Sequence, residues 1–354
     1  MNLLIITQKV DKNDPILGFF HRWIEEFAKN VESVIVICLE RGEYDLPSNV
    51  KVLSLGKEKL EAKSYKLKAF AKLKYVWRFY KYIFKFRKEY DSVFVHMNQV
   101  YVILGGIFWR LLGKKTALWY THRQITLSLW FAEKITNIIF TASKESFRLK
   151  SKKVEVMGHG IDTGHFKQDS QNKISDTTKL LSIGRLSPSK RNELIIETTK
   201  LIKDRGRKAD LVIVGDIVLE KEREYKDYLK NLVSDLDLEK EVSFVGSVSY
   251  DEIPTYYNEA DIFLNFSQTG SMDKTVLEAM ACGCIPITSN EAFRDMLHRK
   301  DLFVGGTLED VKGEIFKLKD MPNRQRQFLI NDLREIIIKD HSLENLIPRI
   351  IEKI

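Results

Sequence analysis

At 354 residues, with 44% apolar and 30% charged residues and a net charge of +8, the chain has an ordinary globular composition and the length of two domains, which excludes a wholly disordered or fibrous polymer. Three cysteines, Cys38, Cys282 and Cys284, exclude a disulfide framework and point to a reducing compartment. No apolar run approaches the ~20 residues of a membrane-spanning helix, and the start MNLLIITQKV lacks a basic n-region and reads as a first strand rather than a signal peptide.

In chain order, short Val/Ile-rich runs alternate with amphipathic stretches. NLLIIT, SVIVICL, NVKVLSL, SVFVHM, TALWYT, NIIFTAS and KVEVMG fill the first half; KLLSIGRL, DLVIVGD, EVSFVG, DIFLNFS and IPITSN fill the second. Such runs predict parallel sheets built from βαβ units, an α/β chain of two Rossmann-like domains facing a cleft. The polar run HFKQDSQNKISDTTK between the two series reads as a linker. The expected division is an N-terminal domain over 1–167, a linker over 168–178 and a C-terminal domain over 179–336. Leu329, Leu333, Ile336 and Ile337 at helical spacing make the tail from Asn323 helical, with a final helix over about 337–354.

Between Lys57 and Lys88, twelve Lys/Arg stand against two Glu, a local balance of +10 that leaves the rest of the chain near −2 (+8 against +10). An anionic partner is therefore a question for one element. Within residues 62–89, Leu67, Phe70, Leu73, Trp77, Tyr80 and Phe84 recur at spacings of three and four and predict the core side of a helix. Lys74, Arg78, Lys81, Lys85 and Lys88 form a neighbouring stripe, and Tyr75, Phe79, Tyr82 and Phe86 an aromatic stripe opposite the core. Outward aromatics flanked by cations fit a helix lying in an anionic membrane interface; a helix buried on two sides, or a dimer contact, gives the same pattern. The following VYVILGGIFWRLLGKK is too short to span a bilayer and reads as a core helix.

Absent motifs narrow the chemistry: there is no G-x-G-x-x-G, no Walker loop and no G-x-S-x-G elbow. Asp235 and Asp237 form a D-x-D inside the polar run VSDLDLEKE, where a solvated helix end is the simpler reading. Cys282 and Cys284 lack the further ligands a metal needs, so neither metal nor cofactor is expected. Two strand-to-helix junctions are more informative. In FSQTGSMDKTVLEAMACG the helix begins near Asp273 or Lys274, placing Gly270, Ser271, Asp273 and Lys274 around free N–H groups at the positive end of a helix dipole. Glu278, one turn in, suits a vicinal diol such as a ribose; a cap and a surface acid are the plainer alternative. In LLSIGRLSPSKRNELII, Arg185 and Lys190 flank a Gly/Ser/Pro turn and fit a diphosphate, against the alternative of two solvated cations. Together the junctions point to a nucleotide ligand.

The pairing of IGRLSPSK with LEAMACGCIPITSN, with LWYTH at 118–122 and GHGID at 158–162, resembles the retaining GT-B glycosyltransferases of family 4 (group 1), over nearly the whole chain. The resemblance implies a nucleotide-sugar donor with Arg185 and Lys190 on its diphosphate and Glu278 on its ribose. His122 would face the donor sugar, orienting rather than acting as a base. The loop DPILGFF would bring Gly18 to the diphosphate, and the last helix would cross back onto the first domain. One departure bears on the donor sugar: the first glutamate of the family's E-x7-E arrangement is Gly270 here, followed by Ser271, Met272 and Asp273. Asp273 is expected to cap the helix and turn one oxygen to the sugar. The implied reaction is metal-independent hexosyl transfer with retention, onto a lipid-linked or cell-envelope glycan, by a cytoplasmic protein peripheral to the inner membrane face. Open alternatives are a soluble acceptor, a catalytically silent scaffold, and a non-catalytic basic protein binding membrane or nucleic acid. His159 shapes the GHGID turn, and His96 is a structural residue at a strand end.

Overall fold

The computed structural model describes residues 1–59, 65–169 and 176–354 and divides into two compact units, Met1–Gly160 with Leu343–Ile354, and Ile161–Ser342. Part of the expected linker (170–175) and the start of the expected basic helix (62–64), with the side chain of Leu67, lie outside the described residues.

The first unit runs β1 (Asn2–Val10), α1 (Phe19–Asn30), β2 (Ser33–Arg41), β3 (Val50–Ser54), α2 (Tyr65–Lys85), β4 (Ser92–His96), α3 (Gln99–Leu111), β5 (Lys115–Trp119), α4 (Leu127–Ile135), β6 (Ile138–Thr141) and β7 (Val154–Val156). Its strands form one parallel sheet in the order β3-β2-β1-β4-β5-β6-β7. Alternate residues of β1 serve opposite faces. Leu3 and Ile5 pack with Trp23 and Phe27 of α1, while Leu4 and Ile6 pack with Phe79 of α2, Trp109 of α3 and Leu129 of α4. Both faces are covered, which is why the strands read as continuous apolar runs.

Helix α2 corrects the sequence reading. Most of the stripe assigned to the core points outward: Phe70, Leu73, Trp77 and Phe84 are exposed, at 70%, 68%, 61% and 41%, while Tyr80 of the same stripe is half-buried against the core cluster. The stripe assigned to the outside is the core face: Phe79 and Phe86 are buried, and Tyr75 and Tyr82 pack against the same cluster. Both stripes are aromatic, so periodicity alone could not choose. The deciding residues are Ala71 and Ile83, buried on the Phe79 side, where a close helix-to-sheet approach needs them.

The second unit runs β8 (Thr178–Ile183), α5 (Asn192–Asp204), β9 (Ala209–Val214), α6 (Arg223–Asp235), β10 (Val242–Gly246), α7 (Ile253–Glu259), β11 (Ile262–Asn265), α8 (Lys274–Cys282), β12 (Ile285–Thr288), α9 (Arg294–Leu297), α10 (Leu308–Asp320) and α11 (Asn323–Ile336). Its parallel sheet has the order β10-β9-β8-β11-β12. Strand order reverses between β8 and β11, and ligands of open α/β sheets sit at the carboxyl ends beside such a reversal. Both junctions singled out from sequence leave those two strand ends. Asp235 closes α6 and Asp237 takes φ +54 in the turn after it, a helix end.

After a π-helical turn at Ile337–His341, α12 (Leu343–Lys353) belongs to the first unit, where Leu343, Leu346, Ile347 and Ile350 join the α1 cluster. Residues 337–342 stay with the second unit. Four buried aliphatic side chains contribute about 1.5–3 kcal/mol each, which is what holds this segment.

Candidate functional site

The loop after β8 holds the turn Pro188–Lys190, and the loop after β11 runs from Phe266 to Asp273. They are locked together. The Gln268 N–H donates to the Ser189 carbonyl (2.9 Å), and Lys190 Nζ reaches Asp273 Oδ1 (2.9 Å) and Ser267 Oγ (3.4 Å). Asp273 Oδ2 accepts from Asn265 Nδ2 (3.1 Å), and Thr269 Oγ1 donates to Oδ1 (3.5 Å). Gly270 takes φ +66, the left-handed conformation that lets the chain turn here without a Cβ penalty. Asn290, in the ITSN stretch, fixes the turn by donating Nδ2 to the Ser271 carbonyl (2.9 Å).

Asp273 does occupy the residue before α8, in an extended conformation, but its side chain makes no cap hydrogen bond. That corrects the expected cap: Lys190 and Asn265 have taken both carboxylate oxygens. Burial pushes this carboxyl up, but the Lys190 ammonium beside it and the bonds from Lys190, Asn265 and Ser267 prevail, holding its pKa below the usual carboxylate value. The side chains of Lys190 and Asp273 are 19% and 13% exposed, so the ion pair is neither free in water nor sealed off.

Glu278 is buried, not a surface acid. Oε1 pairs with Lys274 Nζ (3.0 Å) and Oε2 accepts from Tyr257 Oη (3.2 Å). Arg185 Nε stands 3.4 Å from Glu222 Oε1, with its side chain 41% exposed, while the other Glu222 oxygen takes the amides of Val218 and Leu219. Lys190, Asp273, Ser267 and the Ser271 turn thus form one network. Sequence reasoning missed Asn265, Tyr257, Glu222 and Asn290. Asn265 and Asn290 could have been found as polar residues ending β11 and following β12, where an apolar strand has no packing use for them.

In the first unit, His122 lies exposed in the loop after β5. Its Nδ1 accepts the Gln124 amide (3.2 Å), which leaves the proton on Nε2 as a donor. Gly18 is buried at the start of α1 with an ordinary helical φ of −54, so no left-handed turn explains it. His96 ends β4, is buried, stacks on Phe20 at 3.9 Å and meets Thr7 Oγ1 through Nδ1 (3.3 Å). Cys38, Cys282 and Cys284 are buried and unpaired as thiols. Among the described residues no three His, Cys, Asp or Glu gather as a metal would need.

Lys190 and the N-terminus of α8 thus stand together at the switch point of the second sheet. Residues 165–322 match the family model of glycosyl transferases group 1. This group 1 match covers the second unit up to the start of α11, rather than nearly the whole chain. The amylovoran biosynthesis glycosyltransferase AmsK of Erwinia amylovora is 33% identical over 147 residues, 40% of this chain and 34% of that protein. The mannosylfructose-phosphate synthase of Agrobacterium fabrum is 29% identical over 154 residues, 39% of this chain and 33% of that protein. These alignments span about a third of the length of either curated relative. Among solved structures, Anabaena Alr3699/HepE in complex with UDP and glucose aligns over 100% of this chain and 99% of its own, with a TM-score of 0.73 at 16% identity. The seven- and five-stranded Rossmann-like units are those of the GT-B fold.

Proposed function

We propose that the chain transfers a hexosyl group from a nucleotide-sugar donor to a hydroxyl acceptor, with retention and without a metal ion. The observation that carries this reading is Lys190, fixed by Asp273 at the β8/β11 switch point beside the N-terminus of α8. A fixed cation and a helix N-terminus hold the charge that develops on a departing diphosphate, with no reorganisation needed as it forms. Arg185 adds a second cation from the same junction. A carboxylate offers about four acceptor positions; Glu278 uses two within the chain, leaving acceptor capacity for ribose hydroxyls. His122, in the first unit, keeps an Nε2–H donor, which the family resemblance assigns to the donor sugar.

In the step itself the bond from the anomeric carbon to the β-phosphate oxygen breaks. The acceptor oxygen bonds that carbon from the same face, and its proton passes to the leaving phosphate. The acceptor we favour is a growing cell-envelope or lipid-linked glycan, in line with the biosynthetic role carried in the name of AmsK. The test is a thermal-shift screen against UDP-, GDP- and ADP-sugars, followed by nucleotide release and the anomeric configuration of the product by NMR. One nucleotide-sugar is expected to raise the melting temperature and to yield a retained product. An inverted product, or no stabilisation by any donor, sinks the reading.

A further inference from the structure

We propose that the outer surface of α2, α3 and α4 is a docking face for an anionic lipid bilayer. The three helices form one layer on one side of the first sheet. Tyr80 Oη donates to the Leu104 carbonyl (3.0 Å), Phe84 and Phe108 meet edge to face at 5.1 Å, and Gln99 Nε2 donates to Ser128 Oγ (2.9 Å). A Cβ at Gly106 would lie 2.4 Å from Ile135 Cγ2, so glycine is what brings α3 and α4 this close. The inner faces of all three fill one core. Their outer faces are apolar too: Trp77 and Phe84 on α2, Ile107 and Leu111 on α3, Leu127 and Trp130 on α4, with Leu111 at 79% and Leu127 at 80% exposed. Large apolar side chains from three adjacent elements are more than the scattered singles a soluble surface carries.

Charge selects the occupant. Neither α2 nor α3 contains an acidic residue. The one acid of α4, Glu133, is buried and held by Ser151 and Lys134. Lys72, Lys74, Lys81 and Lys85 are exposed between the aromatics of α2, and Arg110 on α3. Beside α2 a cavity of about 400 Å³ opens against β2 and β3, lined by Arg41, Lys59, Arg78 and Lys81 with a single acid, Glu58. A second copy meeting this face through a two-fold axis would bring cation onto cation. An anionic bilayer satisfies both features: aromatics and aliphatics enter the acyl boundary while lysines stay with the headgroups. Lying flat, the 21 residues of α2 would cover about 30 Å of surface. Among the described residues no helix is long and apolar enough to cross a membrane, so docking is in the plane.

The tryptophans report directly. Trp23, Trp109 and Trp119 are at most 2% exposed, whereas Trp77 (61%) and Trp130 (44%) sit on the proposed face. The whole chain, without donor or acceptor, is mixed with vesicles of phosphatidylcholine alone or with phosphatidylglycerol, and followed by cosedimentation and tryptophan emission. Binding to the anionic vesicles only, a blue shift, quenching by brominated lipid and weakening by salt are expected. Lys74→Glu, Lys81→Glu and Lys85→Glu together should lower partitioning by at least about 100-fold, roughly fivefold for each lysine lost. Trp77→Ser with Trp130→Ser should remove the blue shift, with circular dichroism confirming the fold of each variant. The proposal is overturned by absence of binding at low salt, by equal binding to neutral vesicles, by self-association that the lysine variant abolishes, or by RNA binding at physiological salt without vesicle binding. Sugar transfer is not read in this experiment, so it and the donor chemistry fail independently.

Discussion

Asp273 shows how much one side chain decides at this site. Its charge holds Lys190, so it acts through that lysine as a positioning residue. Asp273→Asn keeps the shape but removes the counter-charge. Turnover is expected to fall about 10–100-fold, the cost of weakening a charge-assisted hydrogen bond, with a larger effect on kcat than on donor KM. Wild-type kcat would leave Asp273 a purely structural residue. Lys190→Ala is not a clean probe of donor binding, because it strands a half-buried carboxylate without its counter-charge, at a cost below the about 3–5 kcal/mol of breaking a fully buried pair. The double variant Lys190→Met with Asp273→Asn should therefore be more stable than Lys190→Ala alone; denaturant midpoints of the three proteins decide. The sign for pH follows from the depressed Asp273 carboxyl: its stabilisation is present above the ordinary carboxylate pKa and is lost as pH falls through the lower folded value. None of this pairing was legible in sequence. Lys190 and Asp273 are 83 residues apart, and their meeting depends on β8 and β11 being neighbours.

At the level of elements, the strands were legible and one helix face was not. All twelve apolar runs became strands, seven in one sheet and five in the other, because Val/Ile-rich segments covered on both sides have one solution. Helix α2 offered two aromatic stripes, and the sheet took the one bearing Ala71, Phe79 and Ile83. The inversion has a measurable signature. Phe79→Ala, at 0% exposure, should cost about 3–5 kcal/mol, while Trp77→Ser should change stability by no more than about 0.5 kcal/mol. Urea unfolding of the two variants tests it; equal losses would return Trp77 to the core. The D-x-D pair and the two strand-end glycine junctions were also readable, since turn chemistry is local, whereas Tyr257 beside Glu278 and Glu222 beside Arg185 come from α7 and from the turn before α6.

For the molecule as a whole, His341 supplies a pH dependence. It is buried, and burial lowers its pKa from 6.5 to about 4. Because the folded value lies below the unfolded one, the stabilisation is complete above pH 6.5 and is lost progressively as pH falls toward 4, by roughly 3 kcal/mol. Urea midpoints at pH 7 and 4.5 should separate less for His341→Gln than for the wild type. His341 also sits where the chain leaves the second unit: its carbonyl accepts the Ile161 amide at 2.7 Å, so entry and exit of that unit are side by side. This arrangement inverts the order in which the two units are completed during synthesis. Residues 161–342 are contiguous and can close their sheet as soon as they leave the ribosome. The first unit, although translated earlier, lacks Leu343, Leu346, Ile347 and Ile350 until the second has emerged. Until then the apolar side of α1 around Trp23, Ile24 and Phe27 stays partly uncovered, and a nascent chain stalled before Leu343 should expose it to a chaperone or a protease while the later-made half is already resistant.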